Sequence, residues 1–302
     1  MPLKQPNFMI RAMNFYDNDE VLDLCRYSDI LLGDQVNLTM MKIDHNCLHI
    51  AEDIDNGKVV GVCSGFNLNS RCATFGEYAI APRYRRFGIG CALWNRCIEH
   101  CLNRNCAILA SAKNVTKYRE KSGFTVIPSR KLLQFCGYPQ LFMLNKYHEQ
   151  AEIEWINAYN LADVVAYDEQ ITGYNRNQFI EYSNGESSSI GTMARCVESG
   201  KVLGYGIFRR VNRSTIVPQP LYANSLDIAE VLLYNALQKF TGFDKLSMEC
   251  WNINDDACVL LAQDKLGLKQ VKTGSTIMFT EFDMCANFKN IFCNSPSVFY
   301  PF

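Results

Sequence analysis

The chain has 302 residues, 48% of them hydrophobic and 20% charged, with a formal net charge of -1. That length suits two domains of about 150 residues better than one core, and the composition is that of an ordinary soluble globular protein. Near-neutrality excludes a global electrostatic pull toward nucleic acid or an anionic membrane, so an anion site has to be local.

In chain order, the apolar pattern predicts a strand at about Phe8–Met13 and a helix over Asn18–Tyr27. Strands follow at Cys47–Ile54, Lys58–Phe66 and Ala73–Ile80, with Asn56-Gly57 as a hairpin turn between the first two. The next helix begins at Cys91 and runs to Arg104, with Leu93, Cys97 and Cys101 at helical spacing. A buried strand at Cys106–Ser111 leads to a short helix, Val115–Ser122, with Asn114 as its N-cap. Gly123-Phe124 stops that helix and starts another strand, and segments around Leu132–Phe135 and Gln140–Leu144 are expected to finish the sheet.

The second half repeats the first in weaker form. Gly57-Lys58-Val59-Val60-Gly61 is echoed by Gly200-Lys201-Val202-Leu203-Gly204, then come a helix at Leu226–Phe240, a strand at Lys245–Trp251 and a helix at Asp255–Lys265. Leu266-Gly267-Leu268 stands where Ser122-Gly123-Phe124 stood.

No run approaches the roughly 18 apolar residues of a membrane span, and the N-terminus lacks a signal-peptide core. A cytoplasmic setting is expected, without membrane or nucleic acid as partners. Fourteen cysteines would otherwise suggest disulfides or zinc, but none is spaced Cys-x-x-Cys and four histidines accompany them. They read as small apolar residues of a reduced core, with no metal site. The sequons at Asn37, Asn114 and Asn212 are expected to be unused.

The stretch richest in chemistry is Arg85-Arg86-Phe87-Gly88-Ile89-Gly90, between the strand ending Glu77-Tyr78-Ala79-Ile80 and an apolar helix. Glycines let backbone N–H groups approach a ligand, while the helix dipole and Arg85 and Arg86 add positive potential. A phosphate or pyrophosphate is the expected ligand; the bland alternative is a turn with basic residues left in solvent. No Lys-Ser/Thr pair follows, which excludes a P-loop, and the three-glycine dinucleotide spacing is absent.

Arg-x-x-Gly-x-Gly after Ile80-Ala81-Pro82 resembles the pyrophosphate loop of the GNAT superfamily of acyl-CoA-dependent N-acyltransferases. Tyr-x-Glu-Lys-x-Gly-Phe at Tyr118–Phe124 resembles that superfamily's other widespread signature. The resemblance implies an α/β (α+β) chain of two GNAT-like folds in tandem, each a mixed, mostly antiparallel sheet flanked by helices. Residues 1–146 would be an acetyltransferase domain binding acetyl-CoA. Residues 147–302 would be a degenerate GNAT-like domain forming a wall on the substrate side, because Pro218–Ser225 carries neither arginine nor Gly-x-Gly.

Carried over residue by residue, the resemblance implies that Arg85, Arg86, Phe87, Gly88, Ile89 and Gly90 hold the pyrophosphate. The strand Tyr78-Ala79-Ile80 would pair with pantetheine as an added strand, and an N–H near Ile80 would serve as oxyanion donor. Glu77, where several relatives keep an acid, is the candidate base; it could equally anchor a cationic amine, or be a strand carboxylate in solvent or paired with arginine. Glu52 and Asp53 are weaker candidates.

The acid departs from the family pattern, since counting back from Gly123 puts Arg119 where the tyrosine usually stands and Tyr118 one residue earlier. One residue turns a helical side chain by about 100°, so Tyr118 reads either as the acid or as a packing residue. Arg119 could stabilise a thiolate but not protonate it. The asparagine that commonly contacts pantetheine is displaced to Asn114. For Tyr174, Arg176 and Tyr222 two readings stand: a substrate cleft between the domains, or a buried Tyr222 with Asp168 pairing Arg176.

The expected function is transfer of an acetyl group from acetyl-CoA to a primary amine of a small molecule by direct attack. Alternatives are a catalytically silent CoA-binding sensor or scaffold, and a longer-chain N-acyltransferase.

Overall fold

The computed structural model describes residues 5–30, 32–212 and 214–300. Strand β1 (Phe8–Ala12) runs into a capping box: the Asn14 side chain accepts the Tyr16 N–H at 2.8 Å, and Asp17 accepts the Asn14 N–H at 2.7 Å. With those donors satisfied, helix α1 (Asn18–Tyr27) starts. Helix α2 (Val36–Ile43) precedes three antiparallel strands, β2 (Leu48–Asp53), β3 (Lys58–Asn67) and β4 (Cys72–Ile80). Helix α3 (Ile89–His100), β5 (Asn105–Ala110), α4 (Val115–Ser122) and β6 (Lys131–Gly137) complete the first half. Gly123 ends α4 in the left-handed region at φ 76°, which glycine adopts without a Cβ penalty.

The second half follows the same plan with β7 (Ala151–Trp155), α5 (Leu161–Thr172), α6 (Asn177–Asn184), β8 (Ser189–Cys196), β9 (Val202–Val211) and β10 (Thr215–Ala223). Helix α7 (Leu226–Leu237), β11 (Lys245–Trp251), α8 (Asp255–Val259, continued as a π-helix over Leu260–Lys265), β12 (Lys269–Phe279) and β13 (Ile291–Cys293) follow.

The two halves share one mixed, mostly antiparallel sheet in the order β1-β2-β3-β4-β5-β12-β6-β11-β10-β9-β8-β7, with β13 on β10. They exchange strands: β12 pairs β5 from Thr276–Ala110 to Phe279–Ala107, and β6 pairs β11 from Leu246–Gly137 to Trp251–Leu132. Each half supplies the strand that covers the other's open edge, so neither leaves that row of N–H and C=O groups unpaired.

Three element expectations change. The strand expected after Phe124 shrinks to a single bridge, Val126–Phe279, because β12 occupies the place beside β5. The strand expected over Gln140–Leu144 is a 3-10 turn, Leu141–Met143. Strand β6 is present but joins β11 and β12 rather than its own half's β5.

One core cluster spans the halves, joining Val21, Val36 and Met40 under α1 and α2 to Ile180, Tyr205 and Phe299. Two others lie under α3 and under α7. All cysteines are free thiols, and most are buried. Among the described residues no group of three or more His, Cys, Asp or Glu side chains is placed to hold a metal ion, and no helix is long and apolar enough to cross a membrane.

Candidate active site

Strands β4 and β5 run parallel and pair only from Cys72–Asn105 to Phe75–Ile108. Beyond Phe75 they part, and a cleft of about 620 Å³ opens between them, lined by Glu77, Tyr78, Leu109, Asn114 and Tyr118 among others. A parted strand offers its backbone edge to an extended ligand, which can bind as an added strand.

A bulge in β4 aims the key carboxylate. The β3–β4 register passes from Ser64–Gly76 to Val62–Ala79, so Glu77 and Tyr78 together oppose Cys63. Glu77 takes φ 48°, a left-handed conformation that costs a non-glycine residue roughly 1–2 kcal/mol. It is 4% exposed, and neither carboxylate oxygen has a hydrogen-bond partner among the described residues. Burial, helped by the neighbouring Cys97, pushes its carboxyl up to about 8. Glu52 and Asp53 are engaged elsewhere: Arg11 Nε donates to Glu52 at 2.7 Å, and the Tyr84 hydroxyl donates to Asp53 at 2.5 Å.

At the other end of β4, Gly88 caps α3 at φ 83°. The first turn of any α-helix leaves N–H groups without intrahelical partners and makes an anion site. Arg85 and Arg86 are exposed beside it, with Arg85 Nε donating to the Ile80 carbonyl at 2.9 Å and Arg86 at φ 71°. Phe87 is half-buried, and Ile89 is buried in the α3 core. Gly90 is required by close approach, because the Tyr78 hydroxyl occupies the space that a Cβ there would need. Ala79 points into the core, while Ile80 is half-buried. A glycine cradle, a helix N-terminus and a parted strand edge make a groove that is anion-binding at one end and strand-like along the rest, and the chemistry of an acyl-CoA, phosphates at one end and amides along its arm, fits such a groove.

Helix α4 presents Tyr118 to the cleft, 7% exposed and stacked on Trp94 with centroids 5.6 Å and planes 15° apart. Burial raises its hydroxyl above the usual tyrosine range. Arg119 is turned outward: it is exposed, pairs with Glu120 at 3.4 Å and does not line the cleft. The rotation between successive helical positions therefore brings Tyr118, not Arg119, to the site. Asn114 lines the cleft, but its side chain donates to Ser111 Oγ at 3.2 Å and makes no cap bond to α4.

The second half repeats the bulge, with Gln219 and Pro220 opposing Ile207. It also repeats the parting of strands, since β10 and β11 pair only at Thr215–Lys245 and Ile216–Leu246. Here the gap is filled by the chain itself: β13 pairs β10 at Leu221–Cys293 and Tyr222–Ile291, and the Asn294 N–H donates to the Glu249 carbonyl of β11 at 2.7 Å. Besides lacking the glycine loop, this half has its groove occupied.

Tyr174, Arg176 and Tyr222 form an internal network rather than a substrate cleft. Arg176 is 5% exposed, bonds Asp168 at 2.5 and 2.8 Å, and also donates to Ser295 Oγ, to the Phe299 carbonyl and to the Tyr222 hydroxyl. Tyr222 is fully buried, and the Tyr174 hydroxyl donates to the Tyr300 carbonyl at 3.1 Å. Five acceptors take up the five N–H donors of this buried guanidinium, which leaves it no donor to offer a substrate. Gln219, Glu249, Ser297 and Tyr300 line the Glu77 cleft instead. Gln219 has a signal in the sequence, since it shares Glu77's place in the repeat; the C-terminal residues have none.

Two units of this design, one with an open groove and a glycine loop, define an acyl-CoA N-acyltransferase fold in tandem. The sequence profile of the acetyltransferase (GNAT) family matches residues 14–124, and that of an acetyltransferase (GNAT) domain matches residues 164–292. The chain belongs to the GNAT family. Similar structures include a Pyrococcus horikoshii protein classed by inference as an acetyltransferase (TM-score 0.70, 16% identity, 96% of this chain and 95% of that one). A tandem GNAT protein from the clavulanic acid biosynthesis pathway is also similar (0.59, 14%, 90% and 97%), as is a GCN5-related N-acetyltransferase from Sphaerobacter thermophilus (0.58, 12%, 90% and 94%). At these identities the likeness is one of fold. No curated protein matches the sequence.

Proposed function

We propose that the protein is an acetyl-CoA-dependent N-acetyltransferase acting on the primary amine of a small molecule in the cytoplasm. Residues 1–146 hold the donor, and residues 147–302 wall the acceptor side. The observation that carries this reading is Glu77: a buried carboxyl without a hydrogen-bond partner among the described residues, beside a strand gap that leads to a helix N-terminus.

Acetyl-CoA supplies an activated acyl group. The chain's own residues do the rest: the α3 loop and β4 edge orient the donor, Glu77 takes a proton from the bound ammonium so that the neutral amine can attack, and Tyr118 holds a proton for the departing thiolate. A carboxyl near 8 is matched to proton transfer at neutral pH, and Tyr118 stays protonated there.

The test is thiol release from acetyl-CoA with a panel of primary amines, across pH. Transfer should rise with pH through an apparent value near 8, and Glu77→Gln should flatten that limb. If no amine gives release above hydrolysis while acetyl-CoA still binds, the chain is a silent CoA-binding protein instead.

A further inference from the structure

We propose that Ser297 and Tyr300 determine acceptor specificity, selecting unbranched primary amines; this rests on the amine-acetylation reading above. The chain reaches the cleft by an unusual route. Strand β13 fills the groove of the second half, and the residues after it cross from β11 to β4 over the acceptor side of the first half's cleft.

The crossing is fixed at several points. The Thr74 hydroxyl on β4 donates to the Val298 carbonyl at 2.8 Å, and Arg176 and Ser295 both bond the Phe299 carbonyl. The Phe299 ring packs between Phe66 and Phe179, with centroids 4.8 and 4.4 Å away. Tyr300 packs on Trp251 at 5.6 Å, and its hydroxyl donates to Glu249 Oε2 at 3.2 Å. Val298, Phe299 and Tyr300 are buried, Tyr300 at 1% exposure backing the cleft wall, whereas Ser297 is half-exposed toward the cleft. Its hydroxyl lies 3.8 Å from where a Cβ on Gly76 would sit, next along the strand from Glu77.

An amine whose nitrogen reaches Glu77 therefore lies between this anchored wall and an apolar floor of Leu109, Leu132 and Ile277. A wall held by both halves does not yield to a branch beside the nitrogen, while a straight alkyl stem follows the floor. Steric selection of one methylene or methyl group is worth roughly 10–200-fold in kcat/KM.

The experiment compares n-propyl- and n-butylamine with isopropyl- and sec-butylamine in wild type, Tyr300→Ala and Ser297→Leu, with acetyl-CoA affinity measured alongside. Wild type should prefer the straight amines by about tenfold or more. Tyr300→Ala should cut that preference to about threefold or less by raising the branched rates. Ser297→Leu should lower kcat/KM for every amine by about tenfold, with acetyl-CoA affinity within about twofold of wild type. Should Tyr300→Ala fail to fold, Tyr300→Leu, which keeps an apolar side chain but shortens the wall, is read for the same straight-to-branched ratio, and an unchanged ratio overturns the proposal. Unchanged selectivity and rates in folded variants overturn the proposal and leave amine acetylation standing. Absence of transfer to any amine by wild type overturns that reading and the proposal with it.

Discussion

The Tyr78 hydroxyl fills the space that a Cβ on Gly90 would take, so strand β4 and the first turn of α3 are fitted to each other. Gly90→Ala should push the Tyr78 ring out of place. We expect a loss of about 1–3 kcal/mol in stability together with weaker acetyl-CoA binding, read by thermal unfolding and calorimetric titration. Tyr78→Phe in the same background should recover part of both, because the hydroxyl makes the nearer contact. Undiminished affinity in Gly90→Ala would remove this turn from the donor site.

Glu77 ties stability to pH. Burial pushes its carboxyl in the folded chain up to about 8 from the ordinary value near 4.5. Below about 4.5 the group is protonated in both states and contributes nothing. Between 4.5 and 8 the unfolded chain ionises first, so stability falls by about 1.4 kcal/mol per pH unit, at most about 5 kcal/mol in all. Glu77→Gln has no such loss. The melting temperature of the variant should pull ahead of wild type steadily from pH 5 to pH 8, and parallel curves would show that Glu77 is ionised at neutral pH.

Arg176 and Asp168 make a buried pair that also clamps the C-terminal segment through Ser295 and Phe299. Removing one partner strands the other in the core, so Arg176→Met or Asp168→Asn should cost about 3–5 kcal/mol in denaturant unfolding. The double variant should cost less than the two singles summed, because neither charge is then left alone. Additive losses would mean that the two residues act independently.

Strands and helices with a clear apolar period were legible from the sequence: α1, α4 and β11 span the residues that their patterns give. The exchange of β6 and β12 was not, because a half-buried strand has the same alternation whichever neighbour it joins. The apolar run at Leu141–Leu144 looked like a strand, yet Pro139, just before it, cannot donate to a ladder and the chain turns there instead. In the site, the glycines and arginines of the loop were legible from the residues themselves, whereas Glu77 stood out only through the resemblance to the GNAT superfamily. Which of Tyr118 and Arg119 faces inward depends on the phase of a short helix, and composition cannot separate a cleft arginine from one neutralised in the core. Ser297 and Tyr300 lie more than 200 residues from Glu77 along the chain, and only the shared sheet brings them beside it.

Tyr118 allows a clean separation of chemistry from packing. Its ring stacks on Trp94 and also meets Phe124 edge-on at 6.2 Å. Tyr118→Phe keeps both contacts and removes only the hydroxyl. If that hydroxyl protonates the leaving thiolate, kcat should fall by about 10²-fold or more, with acetyl-CoA affinity and melting temperature close to wild type. The basic limb of the pH profile should also lose any contribution from tyrosine ionisation, which burial places above the usual range. Tyr118→Ala, which breaks the stack as well, should lower stability by about 3–5 kcal/mol in addition. A Phe variant that turns over at the wild-type rate would leave Tyr118 a packing residue and require the proton to come from another group in the cleft or from water.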